Sequence, residues 1–348
     1  MPSHSTRVDV VIVGFNSRTF IDECLSSLES QNYPRELVSL IFVDNGSTDG
    51  SGAHVRRTHP HVTVVERQHN GGFGAGVNTG IAHGTAEIIV LLNSDARAHP
   101  DFITELVSSL QKSEHIAAVT AKIILEGKFE PSESHDTGFV SYDGWVWKRA
   151  AEGVPLLNST GLQITRSGNG RDRDWLRPVD SPEPPTEVFG FTGGAAALRR
   201  SALDDVGFFD ERLFMYYEDV DLSWRIRLSG WQIHYASSAI AFHQHAASSD
   251  ATSPAFRTWN ETNRALVAIK NGTPSIVFRA LGRTLLHALK IHVGSSHAGC
   301  QNGAGHLEPR RRLSVLVSLM RRAPQFARDR RNTSPRDRHR VAQFTLPE

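Results

Sequence analysis

Cysteine is nearly absent: the 348 residues include two, Cys24 and Cys300, far apart and without metal-ligand spacing. This argues against a disulfide framework and for a reducing compartment. Long apolar runs are missing too. No stretch reaches the roughly 18 apolar residues needed to span a bilayer. The opening MPSHSTRVDVVIVGFNS lacks the apolar core and cleavage site of an export signal. A cytoplasmic protein is therefore expected. Neither sign of charge dominates, since 38 Lys and Arg meet 37 Asp and Glu for a net of +1. The balance is uneven along the chain. Residues 257–348 hold 17 Lys or Arg against 5 Asp or Glu, a net of +12, which leaves −11 for residues 1–256. A basic end of this kind usually meets an anionic surface. Hydrophobic content of 39% and charged content of 22% suit an ordinary globular core. The length suggests one large domain with an appendage, or two domains.

Residues 8–13 (VDVVIV) and 38–43 (VSLIFV) are short β-branched runs followed by turn residues, and they read as buried parallel strands. Between them, 17–31 has helical spacing through Phe20, Cys24, Leu25 and Leu28. Strands are expected at 62–65 and 88–92, and helices at 78–83 and 101–111. Alternation of this kind predicts a doubly wound α/β sheet. Residues 126–186 lose the pattern and read as a long insertion over the sheet, a class of segment that is commonly functional. Regularity returns at Val188. After Pro274, the residues Arg279, Arg283, His287 and Lys290 form one cationic stripe on an otherwise apolar helix. The stripe fits a solvated helix face or an interfacial membrane helix, and the nearby Arg310–Arg312 run and Arg321–Arg322 pair favour the membrane. The end, from RDRRNTSPRDRHR onward, reads as disordered.

The densest chemistry lies in residues 207–227, GFFDERLFMYYEDVDLSWRIR. Asp210, Glu211, Glu218, Asp219 and Asp221 stand there among Phe208, Phe209, Phe214, Tyr216, Tyr217 and Trp224. A carboxylate flanked by large apolar side chains loses solvent, which raises its pKa toward general-base duty. The same acids also suit the first turn of a helix. Upstream, DNGSTDGS at 44–51 follows a buried strand, where ligands bind in such sheets. The glycine-dense NGGFGAGVNTGIAHG at 70–84 can bring backbone amides close to an anion at a helix start. Its spacing fails the G-x-G-x-x-G dinucleotide pattern, and the first strand ends in VGFNS with one glycine. Asn93-Ser94-Asp95 ends the 88–92 strand, where an acid and an amide two apart can hold a divalent cation against a diphosphate; Mg²⁺ or Mn²⁺ suits such sparse oxygen ligation. His243 and His245 follow a further strand-like run and offer an additional metal ligand or a structural histidine.

The order of these signals carries more than any one of them. The early VxIVxxNS turn, VDNGSTDGS, NGGFGAGVNTGI, LLNSD, FTGGAAALRRSALDDVGFFDERLFMYYEDVDLSWRIRLSGW and a final H-x-x-x-x-S follow one another. That series resembles the inverting family 2 glycosyltransferases of bacterial cell-surface polysaccharide synthesis, in the rhamnosyltransferase-like and galactofuranosyltransferase-like branch. The resemblance covers about residues 8–270. It implies a GT-A type, Rossmann-like nucleotide-sugar domain over 1–256, with a mixed and mainly parallel sheet and 126–186 on the acceptor side. A basic, amphipathic helical region over 257–348 would follow. It implies that Asp44, Phe15 and Asn16 meet the nucleoside, with Asn70, Gly71 and Asn78 on the donor side as well. Asn93-Ser94-Asp95 matches a D-x-D-type motif, with Asp95 and His243 as metal ligands; Asn93 departs from the acid many relatives have there. Gly193 and Gly194 match the turn beside donor and acceptor. Asp219, in the Glu218-Asp219 pair, matches the general base. The implied partners are a nucleotide-diphosphate sugar, dTDP-rhamnose or else a UDP-sugar, and a lipid-linked glycan at a membrane surface. A sugar-nucleotidyltransferase is a rival, but it needs a Lys- or Arg-bearing phosphate loop that VGFNSRTF does not supply. An inactive glycan-binding module is another, and it sits poorly with Asp95 and Asp219 both present. Nucleic acid is not an expected partner, since the basic end lacks interleaved aromatics.

Overall fold

The computed structural model describes residues 6–133, 138–244, 253–289, 309–330 and 334–348. Four strands form its parallel half: β1 (Val8–Gly14), β2 (Val38–Asp44), β3 (Thr63–Glu66) and β4 (Ile88–Leu92). Helices α1 (Ile21–Glu29), α2 (Ser51–Thr58) and α3 (Phe73–His83) connect them. α1 forms because Ile21, Cys24, Leu25 and Leu28 fall on one face, and all four are buried. β1 alternates its faces. Val8, Val10 and Ile12 join one core layer with α1, while Val11 joins the other with Val77 and Ile81 of α3.

The glycines of α3 explain that second layer. A Cβ on Gly80 would stand 2.3 Å from Val11 Cγ1, and one on Gly76 would stand 2.6 Å from Val13 Cγ1. These two glycines let the helix lie close on β1, so half of the glycine-dense segment serves packing rather than a ligand.

Next come β5 (Ala96–Ala98), α4 (Phe102–Leu110) and the long β6 (Ile116–Leu125). The insertion is not irregular. It contains β7 (Lys128–Ser132), β8 (Phe139–Val140) and β9 (Val146–Ala150), which form a small separate sheet, followed by β10 (Leu157–Ser159), β11 (Leu162–Thr165) and β12 (Gly170–Asp172). Its pattern escaped the sequence because the strands are short and rest on a miniature core of Leu125, Phe129, Leu156 and Leu176. Then follow β13 (Ala195–Arg199), α5 (Arg200–Val206), α6 (Glu218–Leu228) and β14 (Gln232–His243). The main sheet runs β3-β2-β1-β4-β13-β6-β14-β5, with β10 added to β6. β13 is antiparallel to both neighbours and β14 is parallel to β6, so the sheet is mixed and mainly parallel, as expected.

The basic end is helical: α7 (Pro254–Asn271), α8 (Pro274–Leu289), α9 (Pro309–Asp329) and α10 (Pro335–Ala342), closed by β15 (Thr345–Leu346). It shares a core with α6, in which Trp224 and Val220 meet Leu266, Ile276, Val315, Leu319, Phe326 and Val341. The expected disorder of the last residues is therefore corrected for 334–348, where β15 pairs in parallel with β11. The arginines that suggested a solvated tail instead donate to carbonyls at helix ends. Arg330 reaches Ile269 O at 2.9 Å, Arg338 reaches Lys270 O at 2.8 Å, and Arg340 reaches Leu228 O at 3.1 Å. Among the described residues, no helix is long and apolar enough to cross a membrane.

Candidate active site

The C-terminal ends of β1, β4 and β14 and the start of α6 open onto one cleft of about 310 Å³. Its walls bring together most of the residues singled out in the sequence: Phe15, Asn70, Asn93, Ser94, Asp95, Gly193, Gly194, Glu218, Asp219 and His243. Segments more than two hundred positions apart meet here because parallel strands end on the same side of the sheet. Four candidates lie outside the cleft wall, and each has a structural task. Asp44 accepts from the Ser47 amide at 2.8 Å and the Gly52 amide at 2.9 Å, which fixes the turn after β2. Asn16 accepts from the Thr48 amide at 2.9 Å. Gly71 donates its amide to Asn45 Oδ1 at 3.3 Å. Asn78 clamps the segment before α6 through the Phe209 amide and carbonyl, at 3.1 and 3.0 Å. Asn45, beside Asp44, lines the cleft in its place and bonds Asn70 Oδ1 at 3.0 Å.

Asp95 and His243 face each other where the segment between β4 and β5 meets the end of β14. His243 Nε2 lies 3.2 Å from Asp95 Oδ1, and its Nδ1 lies 2.7 Å from Asn158 Oδ1. Asn158, unsuspected from the sequence, thus holds the imidazole by its rear nitrogen, an arrangement typical of metal-ligating histidines. Asp95 is only 4% exposed. A carboxylate and an imidazole converging on one point fit a hard or borderline divalent cation. Among the described residues no third acid, histidine or cysteine completes a cluster, so further ligands must come from a bound molecule or water. His245 lies outside the described residues.

The acid pair at the start of α6 sits on a strained loop. Phe214, Tyr216 and Tyr217 all have positive φ, at 27°, 67° and 72°, a region costly for side-chain-bearing residues. One side chain holds this loop. Asn263 of α7, 1% exposed, donates to the carbonyls of Leu213, Met215 and Tyr216 at 3.0, 3.0 and 2.9 Å. The result presents Glu218 and Asp219 to the cleft. Burial pushes the Glu218 carboxyl well above its usual range, and the Asp219 charge pushes it further. Its Oε2 has no hydrogen-bond partner among the described residues. Burial also raises Asp219, against the amides of Gly193 (3.2 Å) and Val220 (2.8 Å) that favour its charged form. Of the pair, Asp219 is the better supported as the anion, because two backbone amides hold its carboxylate whereas Glu218 Oε2 has no such partner among the described residues. Asp221 is a structural acid: wholly buried, it accepts from Arg225, Lys270 and Asn271 at 2.8, 2.9 and 2.8 Å. Asp210 is held low by Arg212 and Lys270 despite its burial.

Sequence reasoning missed Asp172, a carboxylate of β12 in the cleft wall. Burial and the neighbouring Asp219 charge push it up to about 6, against hydrogen bonds from Ser159 and Thr192. It lies in a stretch without periodicity, so no pattern marked it.

Comparison with known proteins accords with this geometry. The model of glycosyl transferase family 2 matches residues 9–207, and that of glycosyl transferase family group 2 matches 171–264. The chain is 30% identical over 260 residues to N-acetylglucosaminyl-diphospho-decaprenol L-rhamnosyltransferase of Mycobacterium tuberculosis, covering 71% of this chain and 78% of the relative. A pre-mycofactocin glycosyltransferase of the same organism is 26% identical over 253 residues, 70% of this chain and 44% of that one. In fold, it is similar to the mannosyltransferase PcManGT of Pyrobaculum calidifontis, solved with GDP-Man and Mn²⁺, at TM-score 0.52 and 19% identity, covering 99% of this chain and 81% of that one. It is also similar to residues 1–349 of S. aureus TarS, at TM-score 0.51 and 15% identity, covering 98% and 83%.

Proposed function

Because the chain belongs to glycosyl transferase family 2, we propose that it moves a sugar, with inversion, from a nucleoside-diphosphate donor to a lipid-linked or cell-surface glycan. The observation that carries this reading is the opposition, in one cleft, of the Asp219 carboxylate to the Asp95–His243 pair. Inverting transfer needs one base on the acceptor side and charge neutralisation on the leaving-group side, with no protein nucleophile. Asp219 takes the proton of the attacking hydroxyl. That oxygen bonds to the anomeric carbon while the bond to the diphosphate oxygen breaks on the opposite face. Glu218 stands beside the base, its carboxyl pushed towards the neutral form by burial and by the Asp219 charge. Asp95 and His243 would hold Mg²⁺ or Mn²⁺, which when bound neutralises the departing diphosphate. Phe15, Asn45, Asn70 and Asn93 line the donor end, and Gly193 and Gly194 keep the floor open, since a Cβ on Gly193 would stand 2.9 Å from the Phe73 ring.

The name of the relative in Mycobacterium supports rhamnose as the sugar and a prenyl-diphosphate-linked sugar as the acceptor; we infer dTDP-rhamnose as the donor, with a UDP-sugar as second choice. Contact with a membrane fits such an acceptor. α8 has no acidic residue and leaves Phe278, Leu285 and Leu286 at 79, 49 and 60% exposure beside exposed Arg279, while Leu313 and Met320 of α9 are 61 and 68% exposed. The face is narrower than the sequence suggested. Ile276, Ala280 and Thr284 pack inward, and Arg283 is engaged by Glu348 at 3.1 Å. Lys290 lies outside the described residues. The test is release of nucleoside diphosphate from a panel of nucleotide sugars, with membrane extract as acceptor, with and without Mn²⁺. Failure of every donor refutes the enzymatic reading.

A further inference from the structure

The insertion strand β12 is fastened to the catalytic loop. Tyr217, immediately before Glu218, donates its hydroxyl to Asn169 Oδ1 at 3.2 Å and accepts from the Gly170 amide at 3.1 Å. Gly170 packs so closely on α6 that an added Cβ would lie 2.8 Å from Val220 Cγ2. Two residues on, Asp172 is thereby set into the cleft wall close enough to Asp219 for their charges to interact. Its hydrogen-bond partners are hydroxyls: Ser159, and Thr192, whose Oγ1 is 3.5 Å from Asp172 Oδ1. Among the described residues no Lys, Arg or His forms an ion pair with it. A half-buried carboxylate in a cleft wall, whose opposing charge is the His243 imidazole and whose bonds come from hydroxyls, keeps lone pairs for a ligand.

The surroundings indicate which ligand. Tyr142, in the turn between β8 and β9, places its hydroxyl end against the Asp172 backbone while the residue as a whole is 53% exposed. Arg171 lies over the Tyr142 ring at 4.9 Å. A carboxylate that accepts hydrogen bonds, with an aromatic ring at its outer edge, is chemistry suited to a sugar ring: hydroxyls to the acid, C–H face to the ring. Asp172 borders the cleft where its charge interacts with both Asp219 and His243, between the base and the proposed leaving-group end.

We propose that Asp172 and Tyr142 form the acceptor-sugar subsite, in which the Asp172 carboxylate accepts hydrogen bonds from ring hydroxyls and orients the attacking one towards Asp219. This rests on the glycosyl-transfer reading and assigns to the insertion the task of choosing the acceptor. Asp172 is a positioning residue; it exchanges no proton in the reaction.

The test uses the full chain with Mn²⁺, the most active nucleotide-sugar donor, and N-acetylglucosaminyl-diphospho-undecaprenol in detergent micelles as the acceptor probe. Asp172→Asn should raise the acceptor KM by at least about tenfold, the scale of one charged hydrogen bond. Donor KM and Mn²⁺ half-saturation should stay within about twofold of wild type. Tyr142→Ala, whose folding is checked by a thermal melt, should raise acceptor KM about threefold to tenfold, the scale of one aromatic contact. An unchanged acceptor KM in both variants overturns the proposal. So does weakened Mn²⁺ activation in Asp172→Asn, which would make Asp172 a cation ligand instead. If the wild-type protein releases no nucleotide from any donor, the glycosyl-transfer reading itself fails, an outcome distinct from either variant result.

Discussion

Replacing Asn263 by Ala should damage turnover far more than donor binding, although Asn263 lies outside the cleft. Its amide nitrogen carries two protons and serves three carbonyls, those of Leu213, Met215 and Tyr216. Losing it strands at least two protein carbonyls that water reaches poorly, at about 1–2 kcal/mol each. Phe214, Tyr216 and Tyr217 meanwhile hold left-handed backbone, at about 1–2 kcal/mol per residue. The strain stored in the loop is thus about as large as the restraint removed, so the loop should relax while the sheet stays folded. Glu218 and Asp219 begin the helix that follows directly. A displacement of about 1 Å at a reacting group costs about 100-fold in rate, so we expect kcat to fall about 10- to 100-fold. The donor dissociation constant should change less than about twofold, because Asn93 and Asp95 follow β4 and His243 ends β14. Asn263→Asp keeps the shape and removes the donors, so it should be no better. Nucleotide release, donor titration and a thermal melt together check this. A variant that melts lower yet turns over within about twofold of wild type would refute the claim that Asn263 sets the loop.

Asp219→Asn should lower transfer by at least about 1000-fold while donor titration stays unchanged, in line with loss of a general base; nucleotide-release kinetics decide it. Asn158→Ala should weaken Mn²⁺ half-saturation about 10- to 100-fold through the imidazole it holds, read from metal titration of donor binding. Asp172→Asn should stabilise the fold in a pH-dependent way. A carboxyl whose folded pKa is about 6 binds more protons folded than unfolded. The cost of its charge therefore grows as pH rises from about 4, is complete above about 6, and reaches about 3 kcal/mol for a shift of about two units. Melting curves should show the variant matching wild type near pH 4 and exceeding it at pH 8. Changing Phe278, Leu285 and Leu286 together to Ser should reduce sedimentation with anionic vesicles without lowering the melting temperature. Point changes are the right tool, because deleting α9 and α10 would remove Phe326 and Val341 from the core shared with α6.

The sequence displayed the fold where hydrophobic periodicity was continuous. β1, β2 and β4 carry uninterrupted apolar patterns and match their expected ranges to within a residue, while α1 begins four residues after the expected start at Ser17. The insertion escaped because its strands are two to five residues long and rest on four buried side chains rather than a repeating face. The end escaped for the opposite reason. Its arginines were counted as charge, whereas the structure uses them as hydrogen-bond donors. At the cleft, residues beside strand ends were legible because strand ends are. Asp44, a conspicuous acid after β2, also has a task the sequence did not show, since its two oxygens accept from the Ser47 and Gly52 amides of its own turn. Asp172 and Asn158 could not be read, since only the tertiary pairing of β12 and β10 brings them to the cleft.

The pairing of β15 with β11 has a consequence for synthesis. Thr165, the last residue of β11, hydrogen-bonds Glu348, 183 positions later. At about 5–20 residues per second, a ribosome needs roughly ten to forty seconds to supply that partner after β11 has emerged. During that interval the doubly wound half of the sheet can already form, but β11 presents an unpaired edge. The nascent chain thus passes through a state whose parallel half is built and whose insertion strands await their last neighbour. Chaperone dependence or aggregation during expression should trace to that interval rather than to the finished protein.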